Sequence, residues 1–140
     1  MQFVTANGAT IPALGFGNYG VPRSDMPRLI PAALNAGFRH FDTAQVYRNE
    51  AEIGECVAAS GLKRKEVFLT TKVWVVNYPD RAFAASVDES LRKLRTDYVD
   101  LLLLHWPSDA TRLAQQIAGL NAAVHAGEVR HIGVSTSTGR

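Results

Sequence analysis

Four side chains in this 140-residue sequence have the types needed to place a proton on a carbonyl oxygen, and each follows an apolar, strand-like run. Asp42 stands near the end of "FRHFDTA", with Tyr47 just beyond it; Lys72 lies near the end of "EVFLTTKVW", and His105 follows "DYVDLLLL". In α/β folds, ligands and catalytic groups collect at the C-terminal edge of the strands. Three successive strand ends would therefore bring these four groups together. A tyrosine phenol, with an ordinary pKa of about 10, gives up its proton poorly near neutrality, and an adjacent ammonium lowers that value by favouring phenolate. Lys72 is suited to supply the charge, Asp42 to hold Lys72 ionised and oriented, and His105 to hydrogen-bond a carbonyl oxygen and fix its direction. The set reads as a proton-donating oxyanion site for carbonyl reduction. Singly, each residue has an ordinary structural use as a cap, a packed ring, a solvated ammonium or a core imidazole; their convergence at one edge is what points to chemistry.

A competing signal lies upstream. "LGFGNYGVP" places Gly15, Gly17 and Gly20 at G-x-G-x-x-G, and Asp42 follows after about twenty positions, as in a dinucleotide-binding βαβ unit. In such a unit the helix opens within the motif, so that its N-terminus meets a pyrophosphate. Here Pro22 disfavours a helical Val21, the N-cap candidates Ser24 and Asp25 come late, and Pro31 lies inside the helix that follows. The glycines read instead as letting backbone approach something at the strand end. His40, His105, His125 and His131 lack ligand spacing and acidic or cysteine partners, so no metal set is expected. No Ser-His-Asp order is evident either.

The elements that must position these groups alternate along the chain. "QFVT" and "ATIP" flank Asn7-Gly8, a pair suited to a type I′ hairpin turn. "ALGFG" then reads as strand, "DMPRLIPAALNAG" as a helix ending at Gly37, "FRHFDTA" as strand, "NEAEIGECVAASG" as helix and "EVFLTTKVW" as strand. "PDRAFAASVDESLRKLR" is a helix with Ala85, Val87, Leu91 and Leu94 on one side. "DYVDLLLLHW" is apolar enough for a strand buried on both faces; "DATRLAQQIAGLNAAVHAG" is a helix ending at Gly127, and "VRHIGVS" the last strand. Units of about thirty residues in this order imply a parallel sheet with helices packed outside. Periodicity leaves two α/β architectures open: a doubly wound sheet, or the first part of an eight-stranded (β/α) barrel.

Composition narrows the class. The chain is 46% hydrophobic and 20% charged, ordinary for a globular domain. A net charge of +2 with scattered Lys and Arg gives no case for nucleic acid. The one basic run, Lys63-Arg64-Lys65, reads as a solvated loop. Cys56 is the only cysteine, in an amphipathic helical stretch where a buried, inert thiol is expected. The N-terminus has no signal-peptide pattern and no apolar run is long enough to span a membrane. A cytoplasmic location is expected.

"FRHFDTAQVYRNEAEIGE", "LTTKVW", "LRKLRTDYVDLLLLHWP" and "RHIGVS" closely resemble the aldo-keto reductase superfamily, in its order and spacing and over nearly the whole chain. Within it, "DTAQVYRNEA" and "KLRTDYVDL" are nearest to the bacterial 2,5-diketo-gluconate and methylglyoxal reductases. The resemblance implies a (β/α)8 TIM barrel with an N-terminal hairpin closing its base, of which this chain carries the hairpin and about five β/α units. It implies NADPH-dependent reduction of small aldehydes or ketones. Matched position by position, Tyr47 would be the proton donor, Lys72 and Asp42 its tuning pair, and His105 the substrate-orienting residue. Gly17, Asn18, Asp42, Ser135 and Thr136 would face the cofactor. Tyr19, Trp74, His105 and Trp106 would face the substrate, although Trp106 reads equally as packing.

Two departures qualify the match. The family carries Ser-Asn after the fifth strand to hold the nicotinamide amide, whereas this chain has Ser135-Thr136, and threonine lacks the carboxamide. The sequence also stops at Arg140, soon after that strand, without the family's nicotinamide-stacking tyrosine and 2′-phosphate site. Residues 1–140 are therefore expected to be a single oxidoreductase domain truncated after strand five. Two readings stay open: a reductase cut short, or an inactive fragment that acts only as a binding module. By itself the chain is expected to bind NADPH weakly and, with five strands that cannot close, to self-associate through exposed edges.

Overall fold

The computed structural model describes residues 2–107 and 112–135, and over them the alternation is realised. A hairpin of β1 (Phe3–Ala6) and β2 (Ala9–Pro12) comes first. Asn7 and Gly8 take φ of 45° and 81°, the left-handed pair of a type I′ turn, and Ala6 pairs with Ala9 across it. There follow β3 (Phe16–Gly17), α1 (Met26–Asn35), β4 (His40–Asp42), α2 (Glu50–Ala59), β5 (Phe68–Val73), α3 (Asp80–Leu94), β6 (Val99–Leu104), α4 (Leu113–His125) and β7 (Val129–Val134). β3 is shorter than the run "ALGFG" suggests. Ala13 N–H donates to Gln2 O at 2.9 Å, so that end of the run extends the hairpin instead.

Strand order decides between the two architectures. The sheet runs β3-β4-β5-β6-β7, strictly consecutive, with every pair parallel. A doubly wound sheet reverses order at a switch point; this one does not. Right-handed crossovers then put every helix on one face, and α1 to α4 pack each against the next. This is the arrangement of a (β/α)8 barrel. The glycine fingerprint is likewise settled: α1 begins only at Met26, after a 3₁₀ turn at Arg23–Asp25, so no helix opens on Gly15, Gly17 or Gly20.

The register sorts side chains between the two faces. Phe41, Leu69, Val73, Leu102 and Leu104 turn toward the helices and join Met26, Ile30, Ile53, Phe83, Val87 and Leu94 in one core. Each such side chain contributes about 1.5–3 kcal/mol on burial. On α3 the inward positions are Phe83, Val87, Leu91 and Leu94, spaced at 3.6-residue periodicity; Ala85, two residues from both Phe83 and Val87, is exposed. A Cβ on Gly54 would collide with Lys93 O, so the bare backbone is what lets α2 approach the end of α3.

Two loop and helix expectations change. Arg64 is no solvated loop residue: it donates to Thr96 Oγ1 (2.8 Å), Val67 O (2.6 Å), Tyr98 O (2.9 Å) and Asp100 Oδ2 (2.7 Å). Its 3₁₀ turn, Arg64–Glu66, runs beneath the start of β5 and brings the guanidinium onto the next strand. Cys56 is half-buried rather than buried. Burial nonetheless pushes its thiol up, with Glu55 and Glu52 adding to the effect, so it remains a poor nucleophile. Among the described residues, no helix is long and apolar enough to cross a membrane.

Candidate active site

The face turned away from the helices carries His40 and Asp42 on β4, Thr70 and Lys72 on β5, and Leu101 and Leu103 on β6. At its C-terminal edge Lys72 donates to the Asp42 carboxylate and to Thr43 O at 2.9 Å. The Lys72 side chain is 8% exposed and that of Asp42 35%, so the ion pair opens to solvent on its acidic side. The chain leaves β4 through buried Thr43 and Ala44 into a 3₁₀ turn, Gln45–Tyr47. Thr43 Oγ1 donates to Asn49 Oδ1 (2.7 Å), and Asn49 Nδ2 donates to Asn18 O (3.2 Å). These bonds fasten the turn to the loop after β3. The Tyr47 ring centre then lies 5.2 Å from Lys72 Nζ and 5.5 Å from the His105 ring. His105 follows β6 directly, its N–H donating to Val73 O at 3.1 Å. All four residues singled out for chemistry thus meet at one edge.

Their electrostatics correct one expectation. The Tyr47 phenol is not lowered by Lys72 but pushed up, first by burial, then by the negative charge of Asp42 and by Tyr19. The chief physical reason is burial, which disfavours the phenolate, and the carboxylate of Asp42, paired with Lys72, adds to it. Tyr47 therefore stays protonated at neutral pH. His105 is held below the usual histidine range by burial and by Lys72, against an opposing pull from Asp42. Its imidazole is neutral at pH 7, and its Nδ1 is buried with no hydrogen-bond partner.

An aromatic wall continues from this group. Tyr19, 81% exposed, meets Tyr47 at 5.2 Å between ring centres. Trp74 meets His105 at 5.2 Å and Trp106 at 4.9 Å, and Trp106 meets His105 at 5.3 Å. Trp106 is 42% exposed, so it packs on one side and opens on the other. Gly17 pairs with Asp42 across the ladder. Asn18, the next residue, is fully buried, and neither its amide oxygen nor its amide nitrogen has a hydrogen-bond partner. Ser135 lies just past β7, its N–H donating to Leu104 O at 2.8 Å, one strand from His105. Thr136 lies outside the described residues. Among those residues, no three His, Cys, Asp or Glu side chains gather as a metal set.

Sequence reasoning missed the groups behind this wall. The Tyr78 phenol donates to Trp106 O at 2.6 Å and accepts from Trp106 N–H at 3.3 Å. The Gln45 amide reaches Trp74, Asn77, Ser86 and Ser90. Gln45 and Asn49 both fall within "DTAQVYRNE", between the strand end and the helix, and that placement was the only available signal.

The sequence pattern that defines the Aldo/keto reductase family matches residues 13–139. Methylglyoxal reductase DkgB of Salmonella typhi is 44% identical over 131 residues, which make up 92% of this chain and 49% of that protein. The glycerol 2-dehydrogenase (NADP(+)) of Saccharomyces cerevisiae is 43% identical over 101 residues, 72% of this chain and 32% of that one. A crystal structure with a provisional 2,5-diketo-D-gluconic acid reductase B assignment superposes with a TM-score of 0.94 at 60% identity, covering 96% of this chain and 48% of that chain. The chain spans about half the length of the curated bacterial relatives it matches.

Proposed function

Since this chain belongs to the aldo/keto reductase family, we propose that it serves, as one oxidoreductase domain, the NADPH-dependent reduction of small aldehydes or ketones to alcohols with Tyr47 as proton donor. The observation that carries this reading is the convergence of Tyr47, Lys72, Asp42 and His105 at one strand edge, with Lys72 Nζ 5.2 Å from the Tyr47 ring. A phenol held above its ordinary pKa keeps its proton until an acceptor arrives. When the proton passes to a carbonyl oxygen, negative charge develops on the phenol beside the Lys72 ammonium. That attraction acts on the developing charge more than on the resting phenol, as catalysis requires. Asp42 keeps Lys72 in place, and the neutral His105 ring can direct a hydrogen bond to the carbonyl oxygen.

NADPH, when bound, supplies the hydride. Gly17, Asn18, Asp42, Ser135 and Thr136 are the residues that would hold it. The fit is supported by the buried, unpartnered Asn18 amide, since such groups in native proteins call for an explanation and a polar ligand is one. The NADP(+) in the yeast relative's name favours the same cofactor. Tyr19, Trp74, His105 and Trp106 would line the carbonyl's site. Methylglyoxal and 2,5-diketo-D-gluconate, named for relatives, are the first substrates to offer.

The test is carbonyl-dependent loss of NADPH absorbance at saturating cofactor. The Tyr47→Phe chain should lose about 10²–10⁴-fold in rate while its unfolding free energy stays within about 0.5 kcal/mol. Turnover by Tyr47→Phe within a few-fold of the parent would rule out the proposed acid.

A further inference from the structure

We propose that Gln45 is a positioning residue that sets the spacing between the Tyr47 turn and the Trp74 loop, and thereby the fit of the carbonyl substrate. The substrate clause rests on the functional reading above. Gln45 opens the 3₁₀ turn that ends in Tyr47. Its Oε1 accepts from the Trp74 backbone N–H at 2.9 Å and from Asn77 Nδ2 at 2.9 Å. Its Nε2 donates to Ser86 O at 3.1 Å and to Ser90 Oγ at 3.3 Å. A carboxamide has two N–H donors and two acceptor lone pairs, and here all four are engaged.

The orientation is dictated by two of the partners: the Trp74 N–H can only donate to it, and the Ser86 carbonyl can only accept. A flipped amide would oppose N–H with N–H and oxygen with oxygen. Trp74 immediately follows β5 and leads into the 3₁₀ turn Val75–Asn77, beyond the ladder that orders the strand. Its ring touches His105 and Trp106. One side chain therefore joins the loop bearing the proton donor, the loop bearing the aromatic wall, and helix α3 beneath both. Among the described residues, Gln45 alone in the Gln45–Tyr47 turn makes a side-chain hydrogen bond to the Trp74 loop, so removing this amide should free the wall while leaving the Lys72–Asp42–Tyr47 group intact. The effect belongs to substrate fit more than to the proton step.

The test compares the parent chain with Gln45→Met, which keeps length and loses every hydrogen bond, and Gln45→Glu, which keeps the acceptor facing Trp74. Hydrogen exchange is read at the Trp74 amide, with the Leu102 amide of the sheet's centre as a control for global unfolding. In Gln45→Met the Trp74 amide should exchange about tenfold faster with Leu102 unchanged, and Gln45→Glu should recover much of the protection. With an aromatic aldehyde as probe, KM should rise about tenfold in Gln45→Met while kcat falls far less. Unchanged exchange at Trp74, or a loss confined to kcat, overturns the proposal. Failure of the parent to reduce any carbonyl would overturn the functional reading and the substrate clause; Trp74 exchange would still decide whether Gln45 fixes the two loops.

Discussion

At the C-terminal end of the strands Lys72 meets Asp42, and at the N-terminal end Arg64 meets Asp100. Both pairs join an acid and a base carried by different elements, yet their surroundings differ. Around Asp100, whose side chain is 8% exposed, almost every polar capacity is used. It accepts from Arg64 at 2.7 Å and from Leu69 N–H at 2.9 Å, with Arg130 at 3.7 Å. The Tyr98 ring is flanked by the two guanidinium groups, 4.2 Å from Arg64 and 3.9 Å from Arg130. At the other end, His105 Nδ1 and both amide atoms of Asn18 are buried without partners, and Asp42 faces solvent. Buried polar groups left unmatched cost stability. One end directs its hydrogen bonds inward and holds the fold; the other leaves them open, in keeping with the proposed ligand site.

Breaking the closed end should have the larger thermodynamic effect. Arg64→Met strands a buried Asp100 carboxylate and should cost about 3–5 kcal/mol, read as a lower urea midpoint. A loss below about 1 kcal/mol would mean that the network contributes little. Breaking the open end should cost less. In Lys72→Met, water can reach Asp42 and replace part of what is lost, so about 1–2 kcal/mol is expected, together with a severe loss of carbonyl reduction. If Lys72→Met proves more destabilising than Arg64→Met, the contrast between the two ends fails.

On acidification the two ends should agree. His40, near the closed end, is held low by burial, against the Pro12 carbonyl, Asp42 and Asp100 and with Lys72; its Nε2 sits 2.9 Å from Thr70 Oγ1. His105 is held low by burial and Lys72 against Asp42. Below the unfolded value of about 6.5, the unfolded chain takes up protons that the folded chain refuses. Stability must therefore fall as pH drops below that value and level off under the folded values. His40→Gln and His105→Gln should each flatten part of this fall in denaturant midpoints measured between neutral and mildly acid pH. A steeper fall in either variant would reverse the assigned sign. The smallest effect is reserved for Lys93 and Glu89, an exposed i,i+4 pair at 2.6 Å. Lys93→Ala should shift stability by no more than about 0.5 kcal/mol in the same titration, setting the scale against which both ends are judged.

What the sequence alone determined is local or periodic. Asn7-Gly8 specifies its turn because the left-handed pair is a property of two residues. The α/β alternation follows from apolar spacing, and the strand ends place Asp42, Tyr47, Lys72 and His105 at one edge in any parallel sheet. Tertiary structure decided what depends on which distant groups meet. Consecutive strand order, and hence a barrel rather than a doubly wound sheet, is a matter of pairing that periodicity does not encode. Arg64 reads as a loop cation until the register brings Tyr98 and Asp100 beneath it. Gln45 and Tyr78 look like unremarkable polar positions, since their partners Trp74 and Trp106 lie 29 and 28 residues away. Even the direction of the Tyr47 shift needed the fold. Residue types announce a phenol, an ammonium and a carboxylate, but the sign of their sum depends on distance and burial, and both arise only when separate strand ends pack together.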